Sequence, residues 1–173
     1  MLHGMFPAPQ QLRTYFTTFT TSGRRRLFQV EKNAELMVET LETYRVQGRL
    51  SLHAFVVMPD HVHALITPAT EVSLEKAIQF MKGGFSFRLK SRCEVWERVH
   101  FDKRVPDRQS YDACVTYIHR NPVAANMVSD ERVYAFSSAG CSEKMDPAPD
   151  WFPYEKVSPG LKPFVVDREF TAR

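Results

Sequence analysis

Two short apolar runs separated by only three residues place the strongest constraint on the fold of this chain. The first run covers residues 52–57 and the second covers 61–67, with Met58, Pro59 and Asp60 between them. A connection this short joins neighbouring antiparallel strands, because parallel strands need a crossover of about a dozen residues or more. The sequence therefore predicts an antiparallel hairpin with a tight turn.

The second run begins with two histidines, His61 and His63, one residue apart. Alternate side chains of a strand share a face, so both imidazoles are predicted to point the same way. Neutral imidazole nitrogen is a common metal ligand, and one rigid strand presents both rings with little loss of chain entropy. Two ligands do not complete a site, and the alternative is one hydrogen-bonded histidine and one on the surface.

The remaining elements follow from apolar periodicity. β-branched and aromatic residues predict a first strand, spacing of three and four predicts helices, and Ser73 is a predicted N-cap. Besides the hairpin, the predicted segments are a strand at 13–20, a helix at 33–47, a helix from 73, a strand within 98–105 and a helix at 110–121. The order β-α-β-β-α-β-α predicts an α+β fold, the ferredoxin-like split βαβ arrangement with a central antiparallel sheet and one added helix.

Glycine and proline mark two expected irregularities. The pair Gly83 and Gly84 predicts either a break in the second helix or close approach by another backbone. Pro122 is predicted to end the last helix near Asn121.

Length and composition indicate one soluble domain with an extension. The 173 residues suffice for a core over 1–140, whereas 141–173 hold five of the eleven prolines and predict an irregular C-terminal extension. No apolar run approaches the roughly 20 residues that span a bilayer, so we expect no membrane association and a cytoplasmic location. We expect the protein to be a monomer or a homodimer. The three widely spaced cysteines indicate neither a disulfide framework nor a zinc knuckle.

The last predicted helix carries a second set of reactive groups. Its apolar stripe leaves Tyr117 about 110° from the stripe's centre at about 100° per residue. Asn121 lies four residues further on, close to Tyr117 on the helix surface. The stripe itself consists of Tyr111, Cys114, Val115 and Ile118.

If this face meets the histidine strand, two imidazoles and an amide oxygen surround a site with a phenol beside it. A hard divalent cation there would neutralise charge on a phosphodiester, and the phenol oxygen would be the nucleophile of a phosphoryl transfer. Free tyrosine has a pKa of about 10, so it needs activation, and the sequence identifies no base for that step.

Several motifs in a fixed order resemble the signature series of REP-associated single-tyrosine transposases, which belong to the HUH superfamily. The similarity runs from about residue 13 to about residue 140. Its motifs are Met-Pro-Asp-His-Val-His-Ala-Leu-Ile at 58–66, Met-Lys-Gly at 81–83, Tyr-Ile at 117–118, Asn-Pro-Val at 121–123 and Phe-Ser-Ser-Ala at 136–139.

The resemblance implies a ferredoxin-like fold, a Mg²⁺ or Mn²⁺ ion and cleavage of single-stranded DNA beside a hairpin. It implies that His61, His63 and Asn121 bind the metal. Tyr117 would attack to form a 5′-phosphotyrosine and a free 3′-hydroxyl, and rejoining would reverse that step. Three residues depart from the family pattern: Asp60 replaces a usual asparagine and would place an extra carboxylate near the metal, Ala124 replaces a frequent arginine, and Phe136 replaces a usual tryptophan.

Basic residues indicate where DNA would bind. Residues 82–104 carry seven bases against three acids, although the net charge of the whole chain is only +3. Such a surface is either plain solvated charge or a phosphate-binding face, and the latter would make binding strongly salt-dependent. The candidates for DNA contact are Arg24, Arg25, Arg26, Lys82, Arg88 and Lys90.

Three alternatives stay open. One is a non-catalytic protein that binds single-stranded nucleic acid, such as a domesticated transposase relative, which would not require Tyr117. Another is a metal-dependent phosphodiesterase that uses water and forms no covalent adduct. Tyr111 is a rival nucleophile, although its place in the apolar stripe disfavours it. A histidine-triad site is excluded because position 65 is leucine.

Overall fold

A four-stranded antiparallel sheet organises residues 11–152, which are the residues that the computed structural model describes. The order across the sheet is β2-β3-β1-β4, and each neighbouring pair is antiparallel. The predicted hairpin and the α+β class are therefore confirmed. The strands are β1 (Thr14–Thr20), β2 (Leu50–Val57), β3 (His61–Pro68) and β4 (Phe101–Val105).

Three α-helices cover the two faces of this sheet. They are α1 (Glu31–Val46), α2 (Leu74–Leu89) and α3 (Arg108–Ala124). The apolar stripes of α1 and α2 share one buried cluster with Phe19 of β1 and Val62 of β3. The predicted stripe of α3 packs into a second cluster with Phe16 and Leu65, the neighbours that point to the opposite face. Among the three helices, α3 therefore covers the face onto which His61 and His63 project, together with Tyr134 and Phe152 from the segment after it.

Local hydrogen bonds explain where these helices begin and end. The Ser73 hydroxyl accepts a bond from the backbone N–H of Lys76 at 3.2 Å, as its predicted capping role requires. The Asp107 carboxylate likewise caps α3 by accepting from the N–H of Ser110 at 2.7 Å. Gly48 follows α1 with φ of 67°, a left-handed conformation that glycine adopts without a steric penalty.

The expected stop at Pro122 is wrong, because α3 continues through it to Ala124. Proline removes one N–H from the ladder, but its own carbonyl still accepts, here from the N–H of Met127 at 2.9 Å. The N–H of Ala125 reaches the Asn121 carbonyl at 3.0 Å. These two bonds close the last turn around the buried proline ring.

The expected break at Gly83 and Gly84 is also wrong, since α2 is continuous from Leu74 to Leu89. The alternative expectation, close approach of a backbone, is replaced by close approach of a side chain. A Cβ on Gly84 would lie 2.6 Å from both Cε2 and Oη of Tyr44 on α1. Gly84 therefore lets the tyrosine ring lie against α2.

The segment after α3 is tied to the edge strand β2. The Asp146 carboxylate accepts bonds from the Arg45 guanidinium at 2.9 Å and from the Leu52 N–H at 2.8 Å. The predicted boundary at residue 140 falls inside a 3-10 segment, Ser138–Lys144. Most of the predicted extension, residues 153–173, lies outside the described residues. None of the helices within 11–152 is long and apolar enough to cross a membrane.

Candidate active site

The two histidines of the hairpin lie side by side under α3. His61 and His63 are both buried, and their ring centroids are 4.7 Å apart. Their shared face follows from the alternation of β3, as the sequence predicts.

Each imidazole uses one nitrogen for a hydrogen bond within the protein. His61 Nδ1 lies 2.6 Å from Asp60 Oδ1, and His63 Nδ1 lies 2.7 Å from Thr18 Oγ1. The Nε2 atoms of both rings are buried and have no hydrogen-bond partner within residues 11–152. Buried polar atoms are rarely left unpaired, so two adjacent orphan nitrogens indicate a site for a ligand.

The electrostatics of the site favour a neutral imidazole at His63 and an ionised carboxylate at Asp60. Burial, and then the nearby charge of His61, hold the pKa of His63 well below its ordinary value. The hydrogen bond from His61, followed by the charges of His61 and Arg24, holds the pKa of Asp60 below its usual range. Neutral imidazole is the form that binds metals.

The helix α3 brings Tyr117 onto the same site. The Tyr117 ring lies edge-on to His63 with centroids 5.4 Å apart, and edge-on to Phe16 at 5.8 Å. Phe16 in turn stacks on His63 at 5.4 Å. The tyrosine is half-buried, so its ring is held while part of it stays accessible. The helix face and the histidine strand therefore meet, as the sequence-based hypothesis required.

Asn121 lies one helical turn beyond Tyr117 and is buried. Its Nδ2 donates to the Tyr117 carbonyl at 3.3 Å, a bond that leaves the amide oxygen to act as a ligand. Within the described residues, no group of three or more His, Cys, Asp or Glu side chains is arranged to hold a metal. Two imidazole nitrogens, with the amide oxygen of Asn121 one turn beyond Tyr117, are donor types that fit a divalent cation.

The rival nucleophile lies elsewhere in the core. Tyr111 is buried edge-on to His53, with ring centroids 5.5 Å apart, and against Phe152 at 5.7 Å. Burial raises the pKa of Tyr111 to about 12. Tyr111 therefore contacts a different histidine, and its raised pKa makes its hydroxyl harder to ionise than that of a free tyrosine.

The predicted DNA-contact residues divide into two groups. Arg25, Arg26, Arg88 and Lys90 are exposed, whereas Arg24 and Lys82 are partly buried. Four of the six bond within the protein: Arg24 to Asp60 at 3.5 Å, Arg25 to the Ser22 and Glu94 carbonyls, Lys82 to the Glu97 carbonyl at 2.8 Å, and Arg88 to Glu39 at 2.5 Å.

Sequence reasoning missed two residues that shape the site, Thr18 and Phe16. Both lie on β1, where Thr18 is paired with His63 in the sheet register and Phe16 with Leu65. Alternation within β1 places the two on one face. Their contact with the histidines depends on β3 being the neighbour of β1, which no local pattern encodes.

The sheet and its site define an α+β domain that presents a phenol beside two unpaired imidazole nitrogens. Residues 10–121 match the family model described as "Transposase IS200 like". This chain belongs to the IS200-like transposase family. No curated protein sequence matches it.

Two solved structures are similar to the chain. A REP-associated tyrosine transposase, solved bound to a REP hairpin, is 18% identical with a TM-score of 0.68, and the alignment covers 91% of this chain and 99% of that one. A putative transposase from Deinococcus radiodurans R1 is 19% identical with a TM-score of 0.46 and coverages of 73% and 98%. The first of these likenesses confirms the fold class.

Proposed function

We propose that this protein cleaves and rejoins single-stranded DNA beside hairpins through a covalent bond to Tyr117. The observation that carries the proposal is the pair of buried, unpaired Nε2 atoms of the adjacent His61 and His63, with the Tyr117 ring edge-on to His63. A protein that only bound DNA would need neither the unpaired nitrogens nor the phenol. Membership of a transposase family supports strand transfer as the reaction.

The reaction begins with attack of Tyr117 Oη on a phosphodiester phosphorus. The phenol loses its proton and forms a phosphorus–oxygen bond, the bond from phosphorus to the 3′ oxygen breaks, and that oxygen takes up a proton and leaves as a 3′-hydroxyl. The product is a 5′-phosphotyrosine that retains the energy of the broken bond. Attack by a 3′-hydroxyl reverses the step and joins DNA without ATP.

Three groups would hold a divalent cation, namely His61 Nε2, His63 Nε2 and the amide oxygen of Asn121. When bound, Mg²⁺ or Mn²⁺ would supply positive charge that offsets the charge developing on the phosphoryl oxygens. The protein's own part is orientation: Thr18 and Asp60 hold the imidazoles, and the packing of Phe16 holds the tyrosine ring.

The structural neighbour suggests the kind of DNA. Because that transposase was solved bound to a REP hairpin, we propose a hairpin in single-stranded DNA as the partner here too. Exposed Arg26 and Lys90 would contact phosphates directly. Such contacts lower affinity steeply as salt rises.

A covalent-trapping assay tests the proposal. Purified protein is incubated with end-labelled single-stranded DNA that contains hairpins, with Mg²⁺, Mn²⁺ or EDTA, and is analysed on denaturing gels. We expect a metal-dependent adduct with the strand downstream of the cut, lost in Tyr117→Phe and retained in Tyr111→Phe. The two phenylalanine variants are matched, since both remove one hydroxyl from α3.

Two results would contradict the proposal. Cleavage without any adduct would assign the reaction to water as the nucleophile. Tight, salt-sensitive binding without cleavage of any hairpin would leave a binding protein, the non-catalytic alternative.

A further inference from the structure

One carboxylate joins a histidine of the site to a basic residue behind it. Asp60 Oδ1 lies 2.6 Å from His61 Nδ1, and Asp60 Oδ2 lies 3.5 Å from the Arg24 guanidinium. The carboxylate therefore lies on the side of the ring opposite to the unpaired Nε2. The Asp60 carboxylate, expected from the sequence to lie near a metal, would therefore contact the ligand His61 and would not bind the metal itself.

The backbone fixes Asp60 as firmly as its side chain does. The carbonyl of Asp60 accepts a bond from the N–H of Thr21 at 2.9 Å, and the Thr21 hydroxyl lies between this carbonyl at 2.9 Å and the Arg25 carbonyl at 2.6 Å. Thr21 is completely buried, and it immediately precedes a turn that carries Arg24. The position of the carboxylate thus depends on β1 and the residues just after it.

The turn that presents Arg24 has an uncommon backbone. Gly23 has φ of 62° and Arg24 has φ of 50°, and few non-glycine residues adopt the left-handed region. The Gly23 N–H donates to Glu97 Oε1 at 2.6 Å, which holds the turn. Such conformations persist where the surrounding structure requires them, often at functional sites.

A carboxylate in this position decides which nitrogen of His61 carries the proton. An ionised carboxylate only accepts hydrogen bonds, so in the neutral form of His61 the donor is Nδ1 and the free lone pair lies on Nε2. The same bond fixes the rotation of the ring and makes Nε2 a stronger electron donor. Carboxylate–histidine–metal arrangements use this device, and loss of the outer partner typically weakens metal binding about 10–100-fold.

We propose that Asp60 is a positioning residue that holds His61 as the Nδ1–H tautomer with Nε2 directed into the site. Arg24, named above as a candidate DNA contact, serves this role by holding the carboxylate. The ligand class is a divalent cation with affinity for imidazole, such as Mn²⁺. The role of His61 in cation binding rests on the proposed function, but the first test of the tautomer needs neither DNA nor metal.

The first test is the tautomer of His61 in metal-free protein at pH 7.5. Two-bond ¹H–¹⁵N spectra distinguish protonated from unprotonated ring nitrogens, and the His61 signals are assigned by their absence in His61→Gln. We expect an unprotonated Nε2 in the wild type and in the control Asp112→Asn, which alters an exposed pair with Arg108 on α3. Asp60→Ala should show a mixture of tautomers, whereas a single unchanged tautomer in that variant would overturn the inference.

The second test is Mn²⁺ affinity by titration calorimetry without DNA. We expect Asp60→Ala to bind about 10–100-fold more weakly than wild type. Asp60→Asn, whose amide oxygen still accepts from Nδ1, should lose less, and Arg24→Gln should lie between Asp60→Asn and wild type. Equal affinity in wild type and a folded Asp60→Ala would overturn the role in cation binding.

The two proposals fail separately. If the wild type shows the fixed tautomer and Asp60→Ala loses it, the positioning role stands whether or not DNA is cleaved. If the wild type binds no Mn²⁺ under the same conditions, the metal in the proposed function is contradicted and Asp60 orients His61 for another partner.

Discussion

At the scale of single residues, the site depends on bonds made behind the reactive atoms. His63 is almost fully buried, and Thr18 is its hydrogen-bond partner at 2.7 Å. The neighbouring Thr17 points to the opposite face and donates to the Ala64 carbonyl at 3.1 Å. Each threonine hydroxyl therefore makes one buried hydrogen bond to β3, but only that of Thr18 contacts a histidine of the site.

Replacing Thr18 by valine should lower both stability and metal affinity. Valine keeps the shape but leaves a buried imidazole nitrogen without a partner, which costs about 1–3 kcal/mol in the free energy of unfolding. Urea denaturation measures that loss, and Mn²⁺ titration measures the effect on the site. The control Thr17→Val should lose similar stability and keep its Mn²⁺ affinity, so equal affinities in the two variants would contradict the prediction.

At the scale of elements, two adjacent glycines on α2 have different surroundings. A Cβ on Gly83 would meet nothing within 4 Å, whereas a Cβ on Gly84 would meet the Tyr44 ring at 2.6 Å. That ring stacks on Phe80 of α2, with centroids 5.1 Å apart. Gly84 therefore serves the packing of α1 on α2, and Gly83 does not.

Alanine at these two positions should have opposite effects on stability. Gly83→Ala should stabilise the protein by up to about 1 kcal/mol, since glycine is the poorer helix former in open space. Gly84→Ala must displace the Tyr44 ring and should destabilise by about 1–3 kcal/mol despite the same gain in helix propensity. Urea denaturation of both variants measures the difference, and equal stabilities would show that the ring moves without cost.

At the scale of the whole molecule, two buried histidines link distant segments. His53 on β2 bonds through Nε2 to Thr67 at 2.8 Å and through Nδ1 to the Asp146 carbonyl at 3.1 Å. His119 on α3 lies 2.9 Å from the Ser138 hydroxyl. Burial lowers the pKa of both imidazoles below the ordinary value.

Acidification below about pH 6.5 should therefore destabilise the whole fold. The unfolded chain binds protons at these histidines near pH 6.5, whereas the folded chain binds them only at lower pH, so stability present above pH 6.5 is lost as the pH falls. We expect the free energy of unfolding to fall as the pH is lowered from 7.5 to 5, with buried His63 contributing in the same direction. Urea denaturation across this range measures it, and a folded His53→Gln variant should show a shallower decline, whereas an unchanged slope would contradict the role of His53.

The amino-acid sequence determined the parts of this protein that depend on neighbours along the chain. Apolar alternation and a three-residue turn predicted the hairpin, and helical spacing predicted α1, α2 and α3 to within a few residues. The same local rules placed His61 and His63 on one face and separated Tyr117 from the apolar stripe.

Tertiary structure alone decided which of these faces meet. The contact of Tyr117 with His63, the pairing of Thr18 with that histidine, and the approach of Tyr44 to Gly84 each join segments more than 35 residues apart in the sequence. The passage of α3 through Pro122 also needed the structure, because the Asn121 and Pro122 carbonyls still accept the bonds that complete the last turn. Local periodicity shows which side of an element is apolar, but the partner of that side is selected by packing of the whole sheet and its helices.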